Sequence, residues 1–230
     1  MKGMIISMLT NEQIFLLKKH NINPSNVLKN DNFLYKYTYV DMGGLLILDL
    51  IDIDEQYFEM MKIEKNIKQR KLYIEKALKM EDFSKILFLM DKPYRLEVYK
   101  QIFEEIPNED KYKIFIDLYV NAEYGFSNIS ESFLNEILKY KPKIDLSDLD
   151  DEIIIYRGEG LKSNKKEKAL SWTTDIKVAR FFANRFNNNG RVYKGKVKKE
   201  NIIDFLRDRS ESEILVQYKY IYDVRRIDNK

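Results

Sequence analysis

The sequence predicts an α+β protein in two parts: a mainly helical domain over residues 1–148 and a strand-rich domain over residues 149–230. Three observations support this prediction. Apolar residues recur at helical steps of three, four and seven through much of the first part. All four prolines lie in that part, where they mark helix ends. After residue 150, the apolar residues instead form short runs typical of strands.

The first part begins with a helix over 11–20, because Thr10 and Gln13 form a capping-box pattern. Alternating aromatic residues from Phe33 to Tyr39 predict a strand, and Gly43 with Gly44 predicts a turn into a second strand over 45–51. A helix over 45–51 is the alternative. Further helices are predicted over 54–80, 82–90, 96–106 and 114–120, and a last one, capped by Asn128 with Glu131, ends before Pro142.

Residues 141–150 are polar and are interpreted as a linker. Six strands are predicted after it, over 153–156, 170–174, 191–197, 201–206, 213–218 and 220–225. One helix over 175–186 interrupts them. Asp175 is placed to cap this helix, and its apolar stripe consists of Val178, Phe181, Phe182 and Phe186.

The composition excludes several classes of site. The chain has no cysteine and one histidine, His20. This histidine lies far in sequence from the polar residues of the strand-rich part. Thiol nucleophiles, a Ser-His-Asp apparatus and a His-rich metal site are therefore excluded, and no metal is expected. No signal peptide or membrane span is predicted, so we expect a cytoplasmic protein with no membrane partner; delivery into another cell stays open.

Charge is distributed unevenly along the chain. Residues 1–150 hold 21 Lys and Arg against 25 Asp and Glu, net −4, and residues 151–230 hold 19 against 12, net +7. The basic C-terminal part suits an anionic ligand, although a solvated basic face is an equal alternative. Nucleic acid is not an expected partner, because the lysine clusters lack interleaved exposed aromatic residues.

Three polar signatures follow one another in the strand-rich part. They are Tyr156-Arg157-Gly158, then Ser171-Trp172-Thr173, then Glu211 and Glu213. In a strand, residues i and i+2 share a face and lie about 6.6 Å apart. Ser171 and Thr173 should therefore share one face while Trp172 takes the other, and the two glutamates should point the same way.

In this order the signatures resemble the Arg-Ser-Glu class of mono-ADP-ribosyltransferases, and most closely its small bacterial and phage-encoded members. The resemblance covers about residues 152–226 and rests on short motifs. It implies that the strand-rich domain is an ADP-ribosyltransferase-like split β-sandwich with NAD as co-substrate and no metal. The family usually has a small residue where Trp172 stands.

The resemblance also implies roles for individual residues. Arg157 would pair with a phosphate of NAD, which suits the planar guanidinium. Ser171 would fix the catalytic Glu213, which would bond the nicotinamide ribose and stabilise an oxocarbenium-like transition state. The remaining residues that it places around NAD are Tyr156, Gly158, Trp172, Thr173 and Phe182. Trp172 could stack on nicotinamide or pack inward, and Phe182 could line the pocket or belong to the core.

Glu211 matches the glutamate that in this family accompanies transfer to arginine. A guanidinium is a poor nucleophile until a carboxylate orients it and accepts its proton. The loop over 204–210 would recognise the target, with Arg207, Asp208 and Arg209 as exposed contacts.

The sequence therefore predicts an enzyme that modifies a protein, as a toxin, an effector or a phage anti-defence protein. Residues 1–148 would recognise the target or cover the cleft. The alternatives are an NAD glycohydrolase, a non-enzymatic inhibitor on an inactive scaffold of the same fold, and a basic nucleic-acid binder.

Overall fold

A computed structural model describes residues 9–30, 34–122, 126, 129–186, 189–207 and 211–227. Within these residues the fold is α+β, with helices predominating early and strands late, as predicted. The chain divides into two compact units, Met1–Tyr124 and Gly125–Lys230, whereas the sequence suggested a boundary after residue 148.

The N-terminal unit combines helices with one small antiparallel sheet in the order β1-β2-β3. Its elements are α1 (Asn11–Lys19), β1 (Val27–Lys29), β2 (Tyr37–Asp41), β3 (Leu46–Leu50), α2 (Glu55–Met61), α3 (Ile63–Lys79), α4 (Phe83–Phe88), α5 (Arg95–Gln101) and α6 (Asn108–Val120).

Two local predictions for this unit are confirmed. The Thr10 hydroxyl accepts a 3.2 Å bond from the Gln13 amide, and the Gln13 side chain accepts a 3.0 Å bond from the Thr10 amide, so the capping box exists. β2 and β3 pair as a hairpin whose turn contains Gly43 and Gly44, both at positive φ. The alternative of a helix over 45–51 is wrong, because alternate apolar side chains on β3 face the core.

The C-terminal unit contains one antiparallel sheet of six strands in the order β7-β8-β5-β4-β6-β9. Its elements are α7 (Glu131–Leu138), β4 (Glu152–Glu159), β5 (Ser171–Thr173), α8 (Ile176–Asn184), β6 (Arg191–Lys198), β7 (Asp204–Leu206), β8 (Glu213–Leu215) and β9 (Ile221–Ile227). Each of the six predicted strands and the intervening helix therefore forms, with shifted ends.

The main core of this unit lies on one face of the sheet. Ile155, Trp172 and Ile214 from three neighbouring strands are at most 1% exposed and belong to it. On the other face, α8 buries Ala179 and Ala183 against Val192.

Helix α8 lies so close to the sheet that glycine is required beneath it. A Cβ atom at Gly158 would lie 2.0 Å from the Ala179 carbonyl oxygen, and one at Gly190 would lie 1.8 Å from that of Ala183. The predicted apolar stripe on this helix is therefore not its buried face. Phe181 and Phe186 are 61% and 53% exposed, because close packing selects the small residues instead.

Residues 141–150, interpreted from the sequence as a linker, pack against the sheet. Ile144, Leu146 and Leu149 contact the core, and the Lys141 ammonium donates a 2.8 Å bond to the Ile202 carbonyl. This segment is polar in composition but places an apolar residue inward at intervals. It therefore belongs to the C-terminal unit.

Helix α7 lies in the same unit, and its cap differs from the predicted one. The Ser130 hydroxyl accepts a 3.2 Å bond from the Phe133 amide. Asn128, the predicted cap, lies outside the described residues. Among the helices in the described ranges, none combines the length and apolarity needed to cross a membrane.

Candidate active site

The three polar signatures lie on neighbouring strands of the C-terminal sheet. β5 pairs with β4 on one side and with β8 on the other. Thr173 is the cross-strand partner of Tyr156 and also of Glu213. Directly opposite residues of an antiparallel pair have Cα atoms about 4.5–5.5 Å apart. Residues far apart in sequence thus form one row across three strands.

Arg157 connects the first signature to the second. Its guanidinium donates a 2.6 Å bond from Nη1 to the Ser171 carbonyl and a 3.0 Å bond from Nη2 to the Asn164 carbonyl. A planar fork can hold two carbonyl groups in fixed directions, which an ammonium group cannot do. Arg157 therefore fixes both the start of β5 and the loop that precedes it.

Glu159 holds the same loop from the same strand. Its Oε1 accepts a bond from the Lys166 main-chain amide, and the Gly160 amide donates a 3.0 Å bond to the Ser163 hydroxyl. Because Arg157 and Glu159 are two residues apart on β4, their side chains share one face. The loop over 160–168 is thus tied at two points, and Glu159 was missed from sequence although it follows the arginine at strand spacing.

Thr173 connects the second signature to the third. Its hydroxyl donates a 2.6 Å bond to the Glu211 carbonyl and accepts a 3.0 Å bond from the Asp175 amide. The Thr174 amide donates a 3.2 Å bond to the Ser212 carbonyl. The buried Thr173 hydroxyl therefore joins three parts of the fold. These are the end of β5, the cap of α8 and the segment before β8.

The two glutamates do not follow strand geometry. β8 begins at Glu213, and Ser212 has φ of 43°, which lies in the left-handed region. The rule that residues i and i+2 share a strand face therefore does not apply to Glu211 and Glu213, and the prediction that they point the same way loses its geometric basis. Glu213 is 5% exposed, whereas Glu211 is half-buried.

The strand register also shows which face of the sheet each of these side chains lies on. Tyr156, Thr173 and Glu213 are successive cross-strand partners and share one face. Arg157 follows Tyr156 and points to the opposite face, where its partner Tyr193 belongs to the core. The signatures are therefore adjacent, while Arg157 approaches the Ser171 main chain from the face opposite Glu213.

Ser171 and Trp172 behave as strand alternation predicts. Ser171 is half-buried and pairs with Leu215, and Trp172 pairs with Ile214 inside the core. Trp172 is 1% exposed. This placement favours inward packing of Trp172 over stacking on a ligand.

The residues next to α8 have structural roles that the sequence did not reveal. Tyr156 packs against the cluster around Ala179, and Gly158 leaves room for the helix backbone. Phe182 is half-buried, and its ring meets that of Phe181 edge-on at 5.4 Å. Helix packing accounts for Gly158 without any ligand.

Of the predicted target-recognition residues, Arg207 is the one that lies within the described part of the chain. Its guanidinium forms an ion pair with Asp148 and lies 4.6 Å from the centre of the Phe205 ring. This pair lowers the pKa of the Asp148 carboxyl. Asp208 and Arg209 lie outside the described residues.

A second cation, Lys166, lies over Tyr193, the cross-strand partner of Arg157, and was not singled out from sequence. The Lys166 ammonium lies 4.6 Å from the Tyr193 ring centre and 5.9 Å from that of Tyr218. Its hydrogen bond with Glu167 is the main reason that the pKa of Lys166 is raised. Lys166 thus fastens the loop over 160–168 to the core face of the sheet.

No cluster of three or more potential metal ligands occurs among the described residues. A surface cavity of about 570 Å³ in this unit is lined by residues 143–147 and Lys199, and no residue of the three signatures lines it. Comparison of the chain with protein-family models, with curated proteins and with solved structures gives no match. Functional assignment therefore depends on the residues and their geometry.

Proposed function

We propose that the chain is an NAD-dependent mono-ADP-ribosyltransferase of the Arg-Ser-Glu class. It would cleave the nicotinamide–ribose bond and transfer ADP-ribose to a protein, on arginine. The observation that carries this proposal is the pairing of β5 with both β4 and β8. That pairing brings Arg157, the Ser171–Thr173 hydroxyl motif and Glu213 onto adjacent strands.

Arg157 would act mainly by organising the site. It holds the Ser171 and Asn164 carbonyl groups at 2.6 and 3.0 Å, so it sets the backbone of the hydroxyl motif and of the preceding loop. Fixed positions matter because small misplacements of reacting groups cost large factors in rate. Direct contact of Arg157 with an NAD phosphate, implied by the family resemblance, stays a prediction.

Glu213 would stabilise the transition state. As the C1′–N bond breaks, nicotinamide leaves with the bonding electrons and positive charge develops on the ribose. A carboxylate that is 5% exposed acts through a lower effective dielectric than one in water, so its attraction to that charge is stronger.

Glu211 would serve the second half of the reaction. A guanidine nitrogen of the target attacks C1′, and its proton passes to the Glu211 carboxylate, so charge balances. The bond from Thr173 to the Glu211 carbonyl, at 2.6 Å, supports this role because it fixes the backbone from which the carboxylate extends.

Etheno-NAD fluorescence and labelling with biotinylated NAD test the proposal together. We expect Glu213→Gln to abolish both NAD cleavage and labelling, and Glu211→Gln to abolish labelling while cleavage continues. Glu200→Gln is the matched control, because Glu200 is an exposed carboxylate that belongs to none of the three signatures. Absence of NAD cleavage by the wild-type chain would contradict the proposal.

A second candidate is a non-enzymatic inhibitor on the same scaffold. The burial of Glu213 and the placement of Arg157 on the opposite face favour it, because a working site must expose both to one ligand. This candidate predicts that NAD leaves the melting temperature unchanged. A concentration-dependent rise in melting temperature with NAD would rule it out.

A further inference from the structure

An apolar surface on the C-terminal unit remains exposed beside α8. Leu161, Phe181 and Phe186 are 72%, 61% and 53% exposed. Two cations, Lys162 and Arg185, border them. We call these five residues the Phe186 patch.

The loop that contributes to the patch lies close to the C-terminal end of α8. A Cβ atom added to Gly160 would lie 2.9 Å from the Phe182 carbonyl oxygen and 3.0 Å from the Ala183 carbonyl oxygen. The segment that carries Leu161 and Lys162 therefore runs against the end of α8. The Phe181 ring meets the Phe182 ring at 5.4 Å. Two separate segments thus contribute to one surface.

Helix α8 attaches to the sheet through the small residues Ala179 and Ala183, which are at most 1% exposed. Phe181 and Phe186 lie outside the contact between α8 and the sheet. Leaving such side chains in water forgoes about 25 cal/mol for each Å² that could be buried. Exposed apolar surface rimmed by polar residues is typical of an interaction site.

The charges of the patch indicate the chemistry of the partner. The Lys162 ammonium and the Arg185 guanidinium lie 5.0 and 5.4 Å from the centre of the Phe186 ring. Neither forms an ion pair with a carboxylate in the described part of the chain. Two like charges beside one ring repel each other, and an anionic partner would remove that cost.

We propose that the Phe186 patch is a docking surface for the protein substrate, which would present an apolar residue ringed by Asp and Glu side chains. This inference rests on the proposed transferase function. Phenylalanine and arginine are among the residues enriched at protein interfaces. Membrane-surface helices instead present a continuous apolar face, whereas Leu161 lies in a loop, Phe181 on the outer side of a nine-residue helix and Phe186 beyond the end of that helix.

The test uses the double variant Phe181→Ser/Phe186→Ser and the charge variant Lys162→Glu/Arg185→Glu. Phe15→Ser is the matched control, because Phe15 is 71% exposed in the N-terminal unit. Etheno-NAD cleavage reports the site itself, and biotin-NAD labelling of bacterial and eukaryotic lysates reports docking of the substrate. We expect both patch variants to cleave NAD as fast as wild type but to label protein at least about tenfold less. The control should match wild type in both assays.

Four outcomes would overturn the inference. The first is that the patch variants label protein as strongly as wild type does. The second is that wild type cleaves NAD but labels no protein. The third is wild-type binding to phosphatidylcholine–phosphatidylglycerol vesicles that the variants lose, which would identify a membrane as the occupant. The fourth is a wild-type dimer, seen by light scattering, that the variants abolish. A wild type that cleaves no NAD would instead refute the transferase itself, and the inference with it.

Discussion

The Arg157 guanidinium on β4 donates a 2.6 Å hydrogen bond to the main-chain carbonyl of Ser171 on β5. The same group reaches the Asn164 carbonyl at 3.0 Å. One side chain therefore determines the position of the hydroxyl motif and of the loop before it. Arginine in the first signature therefore has a structural role, and the role in NAD binding that the family resemblance implies stays a prediction.

Replacing Arg157 with lysine should destabilise the C-terminal unit. A lysine ammonium cannot hold both carbonyl groups in the geometry of the guanidinium fork, and a lost hydrogen bond to a charged donor costs about 1.5–3 kcal/mol. Urea unfolding followed by the fluorescence of Trp172, which lies in the core of this unit, measures the loss.

Arg191→Lys is the matched control for that change, because Arg191 is exposed on the neighbouring strand β6. It should leave the urea midpoint unchanged. Equal midpoints for Arg157→Lys and wild type would show that the two carbonyl contacts contribute nothing to stability.

Replacing Thr173 with valine should release the segment that carries Glu211. The change keeps the shape of the side chain but leaves the Glu211 carbonyl and the Asp175 amide without their partner. Loss of a buried hydroxyl of this kind costs about 1–3 kcal/mol. We expect lower stability and reduced biotin-NAD labelling, with Thr174→Val as control because Thr174 is bonded through its main chain. Normal labelling by Thr173→Val would argue against a role for this tether.

Replacing Gly158 with alanine should disrupt the contact between α8 and the sheet. The new Cβ would lie 2.0 Å from the Ala179 carbonyl oxygen, a backbone atom that cannot move alone. Overpacking of this kind costs about 1–3 kcal/mol and occasionally more. Gly43→Ala meets no atom within 4 Å and carries only the cost of its positive φ.

Thermal unfolding compares the two glycine variants. We expect the larger loss of stability in Gly158→Ala. A stable Gly158→Ala protein that no longer binds NAD would instead assign this glycine to the ligand.

Tyr94 in the N-terminal unit should make stability depend on alkaline pH. Its hydroxyl donates a 2.5 Å bond to the Asp49 carboxylate. Burial, followed by this bond, raises the pKa of Tyr94 to about 12. In the unfolded chain a tyrosine ionises near pH 10. The folded state therefore retains a proton that the unfolded state has lost, and the contribution is complete below about pH 10 and is lost as pH rises through about 12.

Tyr94→Phe tests this pH dependence. At pH 7 it should cost about 1–3 kcal/mol, because Asp49 loses a donor. The difference from wild type should shrink between pH 10 and 12 in urea unfolding followed by circular dichroism. Tyr73→Phe is the control, because Tyr73 is 52% exposed. A difference that stays constant to pH 12 would contradict the assignment.

Local patterns in the sequence predicted elements well where neighbouring residues decide the outcome. The capping box at Thr10 and the hairpin turn at Gly43 form because each depends on residues within a few positions. The stripe on α8 failed for the opposite reason. Hydrophobicity marked Phe181 as buried, but the close approach of the helix to glycines on the sheet selected Ala179 instead.

The sequence by itself determined the order of the signatures, the strands that carry them and the absence of cysteine from any site. Tertiary structure decided which strands are neighbours, that Arg157 holds the Ser171 carbonyl, and that the backbone at Ser212 leaves strand geometry between Glu211 and Glu213. The reason is physical. Strand spacing is a local property of the chain, whereas strand order and backbone bends depend on contacts among residues distant in sequence.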